Sequence, residues 1–271
     1  MPEIKAVVFD LDDTLLHDDL SVSVYTAGIL RRLHCRGFRI IAASGRARFS
    51  MLPYVDQIGC VDAYISCNGA EIWDGPSHRL IRQELFSEET ALDIVRFGED
   101  RDCYIQVYEG KCFYFNRECI HERRYAYSSK LTGIYAGKLS DYIHEPRNKV
   151  LMIDDEQRIA SLYKEACVLF SETASVTCSK PIYLEFNPLN ATKGIALQTV
   201  AEFLGLRTEN MIVFGDSLND LPMLKAAGVA VAVANGRPEI KAMAHFVCGS
   251  NNFDGPAHFL NDHYLSKEVM R

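Results

Sequence analysis

Two carboxylates, Asp10 and Asp12, follow the apolar run Val7-Val8-Phe9, and their spacing is the first sign of chemistry in this chain. Three β-favouring residues that give way to alternating acids read as a buried strand, with Asp10 at its C-terminal tip and Asp12 two residues beyond. In open α/β sheets ligands bind just outside the carboxyl ends of the strands. Two neighbouring carboxylates there can share the roles of nucleophile, metal ligand and proton carrier. A D-x-D stretch alone favours the plainer reading, a solvated acidic turn. An EF-hand loop is excluded, because Leu15 occupies the position that requires Gly and Ser21 that of the bidentate Glu.

Three further stretches break the tie: Ala43-Ser44-Gly45-Arg46, Ala191-Thr192-Lys193-Gly194, and Phe214-Gly215-Asp216-Ser217-Leu218-Asn219-Asp220. With Val7 to Leu16, and in this order, they resemble the four signature motifs of the haloacid dehalogenase (HAD) superfamily, most closely those of its Cof-type (subfamily IIB) phosphatases. The resemblance covers most of residues 4–83 and 188–260. Asn235-Gly236-Arg237-Pro238-Glu239 and Asn252-Phe253-Asp254-Gly255 also resemble Cof-type segments, with Gly236 in place of the usual Ala. Asp13 stands where Gly is commonest, and no catalytic role is assigned to it.

The resemblance implies a Mg²⁺-dependent phosphatase that hydrolyses small phosphomonoesters, such as sugar phosphates, through an aspartyl-phosphate on Asp10. It implies Asp12 as general acid and base, and Mg²⁺ on the Asp10 side chain, the Asp12 carbonyl and the Asp216 side chain. Ser44, the Gly45 amide, Lys193 and Asn219 are expected at the phosphate, with Asp220 orienting Lys193 or a metal-bound water. Arg46, and Asn68 with Gly69 at a third strand tip, are candidates for the substrate pocket. Such chemistry needs cations. A carboxylate approaching a phosphate dianion meets a repulsion of roughly 8 kcal/mol at about 4 Å and an effective dielectric near 20. Two other readings share these residues: a sugar phosphomutase, and a non-catalytic sensor phosphorylated on Asp10. Retention of Asp12, which would speed hydrolysis of a stored phosphoryl group, argues against the sensor.

The elements needed to place these residues can be read from the pattern. Ser21 is taken as the N-cap of a helix that turns Val24, Tyr25, Ile29 and Leu33 inward and ends at Gly37. Strands follow at 38–43 and 61–66, a helix at 47–57, and a short hairpin arm at 71–76. This is the βαβαβ start of a doubly wound parallel sheet. From about Glu84 the texture changes to a Tyr-rich hairpin at 103–115, which reads as a sheet with one exposed face. A strand at 148–153, a helix at 157–170 and a strand pair at 176–186 complete an α+β insert; residues 117–146 show no clear period. The doubly wound rhythm resumes with a helix at 193–206, a strand at 211–214, a helix at 218–227 and a strand at 229–233. The expected fold is therefore α/β: a doubly wound, Rossmann-like HAD core of residues 1–83 and 188–271, with an inserted α+β cap at 84–187. The two connections, near 83–87 and 186–190, are expected to run close together as a hinge.

Composition limits the partners. The 271 residues are 48% hydrophobic and 24% charged, ordinary for a globular chain, and a formal charge of −7 offers no basic surplus to a nucleic acid. Nine cysteines without a C-x-x-C pair indicate neither a disulfide scaffold nor a zinc site, so reduced, mostly buried thiols are expected. The start Met1-Pro2-Glu3 carries no signal-peptide pattern, and no apolar run approaches the ~20 residues of a membrane span. The expected setting is cytoplasmic, with a small phosphorylated metabolite as partner, no nucleic acid or membrane, and a monomeric or weakly dimeric state. His121-Glu122-Arg123-Arg124 has Tyr125 where a zinc-binding helix needs its second His.

Overall fold

The structure, a computed structural model, describes residues 3–266. Strand β1 (Ala6–Asp10) leads through a tight acidic loop into helix α1 (Val24–Cys35), β2 (Arg39–Ala43), α2 (Arg48–Ile58), β3 (Ala63–Ser66), β4 (Glu71–Asp74) and β5 (Leu80–Gln83). The intervening segment holds α3 (Glu88–Glu99), β6 (Tyr104–Glu109), β7 (Cys112–Phe115), α4 (Ile120–Ser129), β8 (Thr132–Tyr135), α5 (Leu139–Tyr142), β9 (Val150–Ile153), α6 (Glu156–Leu169), β10 (Ala174–Thr177) and β11 (Tyr183–Pro188). The chain then returns through α7 (Lys193–Phe203), β12 (Met211–Gly215), α8 (Leu221–Ala226), β13 (Val229–Val233), α9 (Pro238–Met243), β14 (Phe246–Cys248) and α10 (Gly255–Leu260).

The first sheet has the order β14-β13-β12-β1-β2-β3-β4-β5, parallel from β14 to β3 and antiparallel in its last two pairs. Its central strand is apolar on both faces. Val7 and Phe9 pack among Leu30, Leu33, Tyr54 and Ile58, while Ala6 and Val8 pack among Leu197, Val200, Met223 and Ile240. Burying each larger side chain contributes roughly 1.5–3 kcal/mol, so β1 is fixed from both sides. Phe9 stands opposite Phe214 and Asp10 opposite Ala43. Asp10, Ser44 and Asp216 therefore leave their strands at one end of the sheet.

The second sheet runs β10-β11-β9-β6-β7-β8, antiparallel except for β7 with β8. One face packs on α3 and α6 through Ile94, Val95, Ile105, Val107, Ile159 and Phe186. Over the inner strands β6 and β9 the other face is not exposed, contrary to the sequence reading, whereas edge strand β8 is exposed along its length. Tyr104, Tyr108, Phe113, Phe115 and Leu151 are buried there with Tyr125 of α4 and with Ala47, Cys67, Ala70 and Ala191 of the first sheet's strand tips. The Tyr side chains that suggested a wet face are buried because they bond Gln106 and one another. Tyr104 is paired with Gln106, Gln106 with Tyr108, and Tyr108 donates to the Tyr125 hydroxyl at 2.8 Å. Both connections between the sheets are tied to the turn after β3: Glu84 N–H donates to Ala70 O and Asn187 Nδ2 to Cys67 O, each at 2.8 Å.

Other elements depart from the sequence reading in instructive ways. Ser23, not Ser21, caps α1, accepting from Thr26 N–H. At about 100° per residue Val24 lies about 140° from Ile29 and about 180° from Leu33 around the helix, so Val24 is 91% and Tyr25 38% exposed while Ile29 and Leu33 stay inside. Residues 218–220 form a tight turn, and α8 begins only at Leu221. Helix α3, unforeseen in the sequence, starts at the Ser87 cap with Glu88 and Glu89 in its first turn. All nine cysteines are free, but only Cys67, Cys103, Cys178 and Cys248 are buried. Among the described residues no helix is long and apolar enough to cross a membrane.

Gly69 links this scaffold to the strand tips. Its φ is +112°, and a Cβ there would lie 2.5 Å from the carbonyl oxygen of Thr192, the residue that caps α7. Gly69→Ala is expected to lose at least about 1–3 kcal/mol of unfolding free energy from backbone strain alone, read as a lower urea midpoint at unchanged slope. An unaltered midpoint would show that the turn yields without cost.

Candidate active site

The acidic loop after β1 closes with Leu16 N–H donating to Leu11 O at 2.8 Å, and Asp13 takes a left-handed φ of 58°. That conformation favours Gly and tolerates Asp, which accounts for the acid at this position. Asn235 Nδ2 donates to the Asp13 carbonyl at 2.7 Å and holds the loop from outside. Asp10 is left at the bottom of a pocket lined by Asp12, Asp13, Ser44, Gly45, Arg46, Asp216, Ser217 and Asn219.

Lys193, the first residue of α7, is fully buried. Its Nζ donates to Asp10 Oδ1 at 2.5 Å and to Asp220 Oδ1 at 2.6 Å. It stands behind Asp10 and is not part of the pocket lining. Asp220 is fully committed, since its Oδ2 accepts the N–H groups of Asp216 (2.9 Å) and Ser217 (3.1 Å). Gly215 is needed for this packing rather than for a turn. A Cβ there would meet Asp220 Cβ at 2.7 Å. Thr14, which the sequence reading passed over, donates to Asp216 Oδ1 at 2.9 Å.

Carboxylate oxygens of Asp10, Asp216 and Asp220 lie within 4.8 Å of one another, against the single ammonium of Lys193. Burial pushes the Asp10 carboxyl well above its usual range. Lys193 opposes the rise, and Asp220, Asp216 and Asp12 add to it. Asp216 is raised by burial and by Asp220, with the Thr14 hydrogen bond working against the rise. The Lys193 ammonium, which burial alone would weaken, is held charged by Asp10 and Asp220. A buried surplus of negative charge on hard oxygen donors suits a divalent cation such as Mg²⁺. Asp10 and Asp216 have the free oxygens for it, whereas Asp220 serves as a brace.

Asp12 turns the other way. Arg46 grips it bidentately, Nε to Oδ2 and Nη2 to Oδ1, both at 2.7 Å. Burial would raise the Asp12 carboxyl, but the guanidinium more than offsets this and holds it below the usual carboxylate range. The remaining Arg46 donor, Nη1, reaches Ser50 Oγ and the Ser128 carbonyl of α4, both at 2.8 Å. Of the other pocket candidates, Asn68 is buried with its amide engaged by Glu185, Asn187 and Asn219, and Gly69 packs on Thr192. Neither lines the pocket.

The insert supplies the rest of the lining: Tyr125, Ser128, Ser129, Lys149, Ser179, Lys180, Tyr183 and Glu185. Sequence reasoning missed all of them. The one usable signal was a lone charge beside or inside an apolar strand, Lys149 before Val150–Ile153 and Glu185 between Leu184 and Phe186. The family model for haloacid dehalogenase-like hydrolases matches residues 7–260. The chain belongs to these hydrolases and is a phosphatase.

Within this family the chain is 28% identical to the phosphatase YwpJ of Bacillus subtilis (strain 168), covering 95% of this chain and 99% of that protein. It is 26% identical to the 5-amino-6-(5-phospho-D-ribitylamino)uracil phosphatase YcsE of the same organism, covering 94% of each. A solved HAD subclass IIB sugar phosphatase, BT4131, superposes with a TM-score of 0.84 at 21% identity, over 95% of this chain and 98% of that one, a likeness of fold.

The charge imbalance has a thermodynamic consequence. A carboxyl whose folded pKa lies above its unfolded value makes the folded state bind the extra proton, so stability falls as pH rises from the unfolded value toward the folded one. In metal-free protein at pH 7, Asp216→Asn is therefore expected to melt at least about 2 °C higher than the wild type. The gap should close as pH falls toward 4. A variant that melts lower at pH 7 would contradict the proposed surplus.

Proposed function

We propose that this phosphatase hydrolyses small phosphomonoesters, sugar or polyol phosphates among them, through an aspartyl-phosphate on Asp10. The observation that carries the reading is Asp10 at the β1 tip, backed by Lys193 at 2.5 Å and open to a pocket bearing Ser44, Gly45 and Asn219. In this reading Mg²⁺ is held by the Asp10 and Asp216 carboxylates and the Asp12 carbonyl, and when bound it supplies positive charge against the phosphate.

An Asp10 carboxylate oxygen attacks phosphorus while the bond to the leaving alcohol breaks, and the alkoxide takes a proton from Asp12. Water then attacks the phosphoaspartate, Asp12 takes the water's proton, and the bond to Asp10 breaks to release phosphate. In the resting state Asp12 is ion-paired and ionised, so before the first step it must leave Arg46 and take up a proton from solvent; an incoming phosphate dianion competes for that guanidinium. Ser44 and the Gly45 amide face the transferring oxygens, and Lys193 balances charge behind the nucleophile.

The insert acts as a lid that selects the alcohol. Hydroxyls of Tyr125, Ser128, Ser129, Ser179 and Tyr183, with Lys180, suit a leaving group rich in hydroxyls. The relative named for a phosphoribityl substrate supports that class.

The purified chain is expected to release inorganic phosphate from sugar phosphates with Mg²⁺ and without a bisphosphate activator, and to stop on chelation. Lys193→Ala should lose about 10²- to 10³-fold in turnover. Asp10→Asn should bind ester without turning it over, and appreciable turnover by that variant would remove the nucleophile assignment.

A further inference from the structure

We infer that the buried ion pair of the insert, Lys149 with Glu185, is a positioning device for the phosphate-binding loop; this rests on the phosphatase reading above. Both side chains are 2% exposed, and they pair with each other on the wall of the active-site pocket. Lys149 Nζ also donates to the carbonyl of Gly45 at 2.8 Å. The loop 44–46 thus has all three carbonyls engaged. Asn68 N–H takes Ser44 O at 3.0 Å and Cys67 N–H takes Arg46 O at 2.9 Å, both from the turn after β3. The middle one is held from the insert.

The consequence follows from peptide geometry. In a trans peptide the C=O and the following N–H point in opposite directions. With the Gly45 carbonyl pinned to Lys149, the Arg46 N–H is aimed at Ser44 Oγ, which accepts from it at 3.1 Å. A hydroxyl oxygen that accepts there has its own proton free to point into the pocket. The other end of the pair works on Asn219. Glu185 Oε2 accepts from Asn68 Nδ2 at 3.0 Å, which turns Asn68 Oδ1 toward Asn219 Nδ2, also at 3.0 Å. One ion pair in the insert therefore orients two neutral phosphate donors of the first sheet. On this account the insert is more than a lid, and an exchanged insert must keep both residues.

A buried charge left alone is destabilising whatever its role, so the test uses Lys149→Met beside the double variant Lys149→Met/Glu185→Gln. The double variant leaves no lone charge and keeps an acceptor for Asn68. Phosphate release from a sugar phosphate with Mg²⁺, inhibition by inorganic phosphate and melting temperature are measured on the full chain. Turnover is expected to fall about 10- to 100-fold in both variants, with KM changed less than about 3-fold. Melting temperature should recover in the double variant while turnover does not. Wild-type turnover in the double variant overturns the inference, and so does a rise in KM at unchanged turnover, which would make the pair a substrate contact. A wild-type chain that releases no phosphate from any ester would instead remove the underlying reading.

Discussion

The contact between Lys193 and the two carboxylates of Asp10 and Asp220 is the interaction on which the rest of this site depends. A fully buried ammonium needs partners, and a buried carboxylate needs a charge beside it; each meets the other's requirement. The surroundings follow from that contact. Thr192 caps α7 so that Lys193 begins it, Gly69 is bare so that Thr192 can approach, and Gly215 is bare so that Asp220 can fold back over the strand tip. The cluster carries more acid than one lysine neutralises, a residual charge that suits a divalent cation.

The insert completes what the first sheet leaves open. Its inner strands β6, β9 and β11 are buried on both faces, one against its own helices and the other against the strand tips, so it is held in place by packing as well as by the two connections. Beside these apolar contacts the seam carries polar ones. Arg46 reaches the Ser128 carbonyl, Lys149 the Gly45 carbonyl, and Ser217 Oγ the Ser179 carbonyl at 2.9 Å. The hydrogen-bonded part of the seam can exchange its partners for water when the layers part.

The strand tips were legible in the sequence because each is an apolar run that stops at a polar residue or Gly. Val7–Phe9 before Asp10, Ile40–Ala43 before Ser44, and Met211–Phe214 before Gly215 all read correctly. The structure brings Asp10, Lys193, Asp216 and Asp220 together as their motifs implied. The start of α1 misled because two serines stand two residues apart, and only packing decides which one caps. Residues 117–146 had no period because β8 pairs in parallel with β7 after a helix, a contact set by long-range register. Asn68 was placed at the right strand tip but given to the substrate, since its partners Glu185 and Asn187 are over a hundred residues away. Local pattern carries the elements; side chains that meet across the seam are fixed by tertiary structure.

The central claim is that Asp10 itself accepts the phosphoryl group. Its most direct test is an acid quench during turnover of a sugar phosphate with Mg²⁺, followed by peptide mass spectrometry across residues 4–31. One phosphoryl group on Asp10, appearing within a turnover and absent from Asp10→Asn, is the result expected. Turnover at full rate with no phosphorylated peptide at any quench time, including under conditions that slow hydrolysis of the acyl phosphate, would contradict the account and leave Asp10 as a ligand alone.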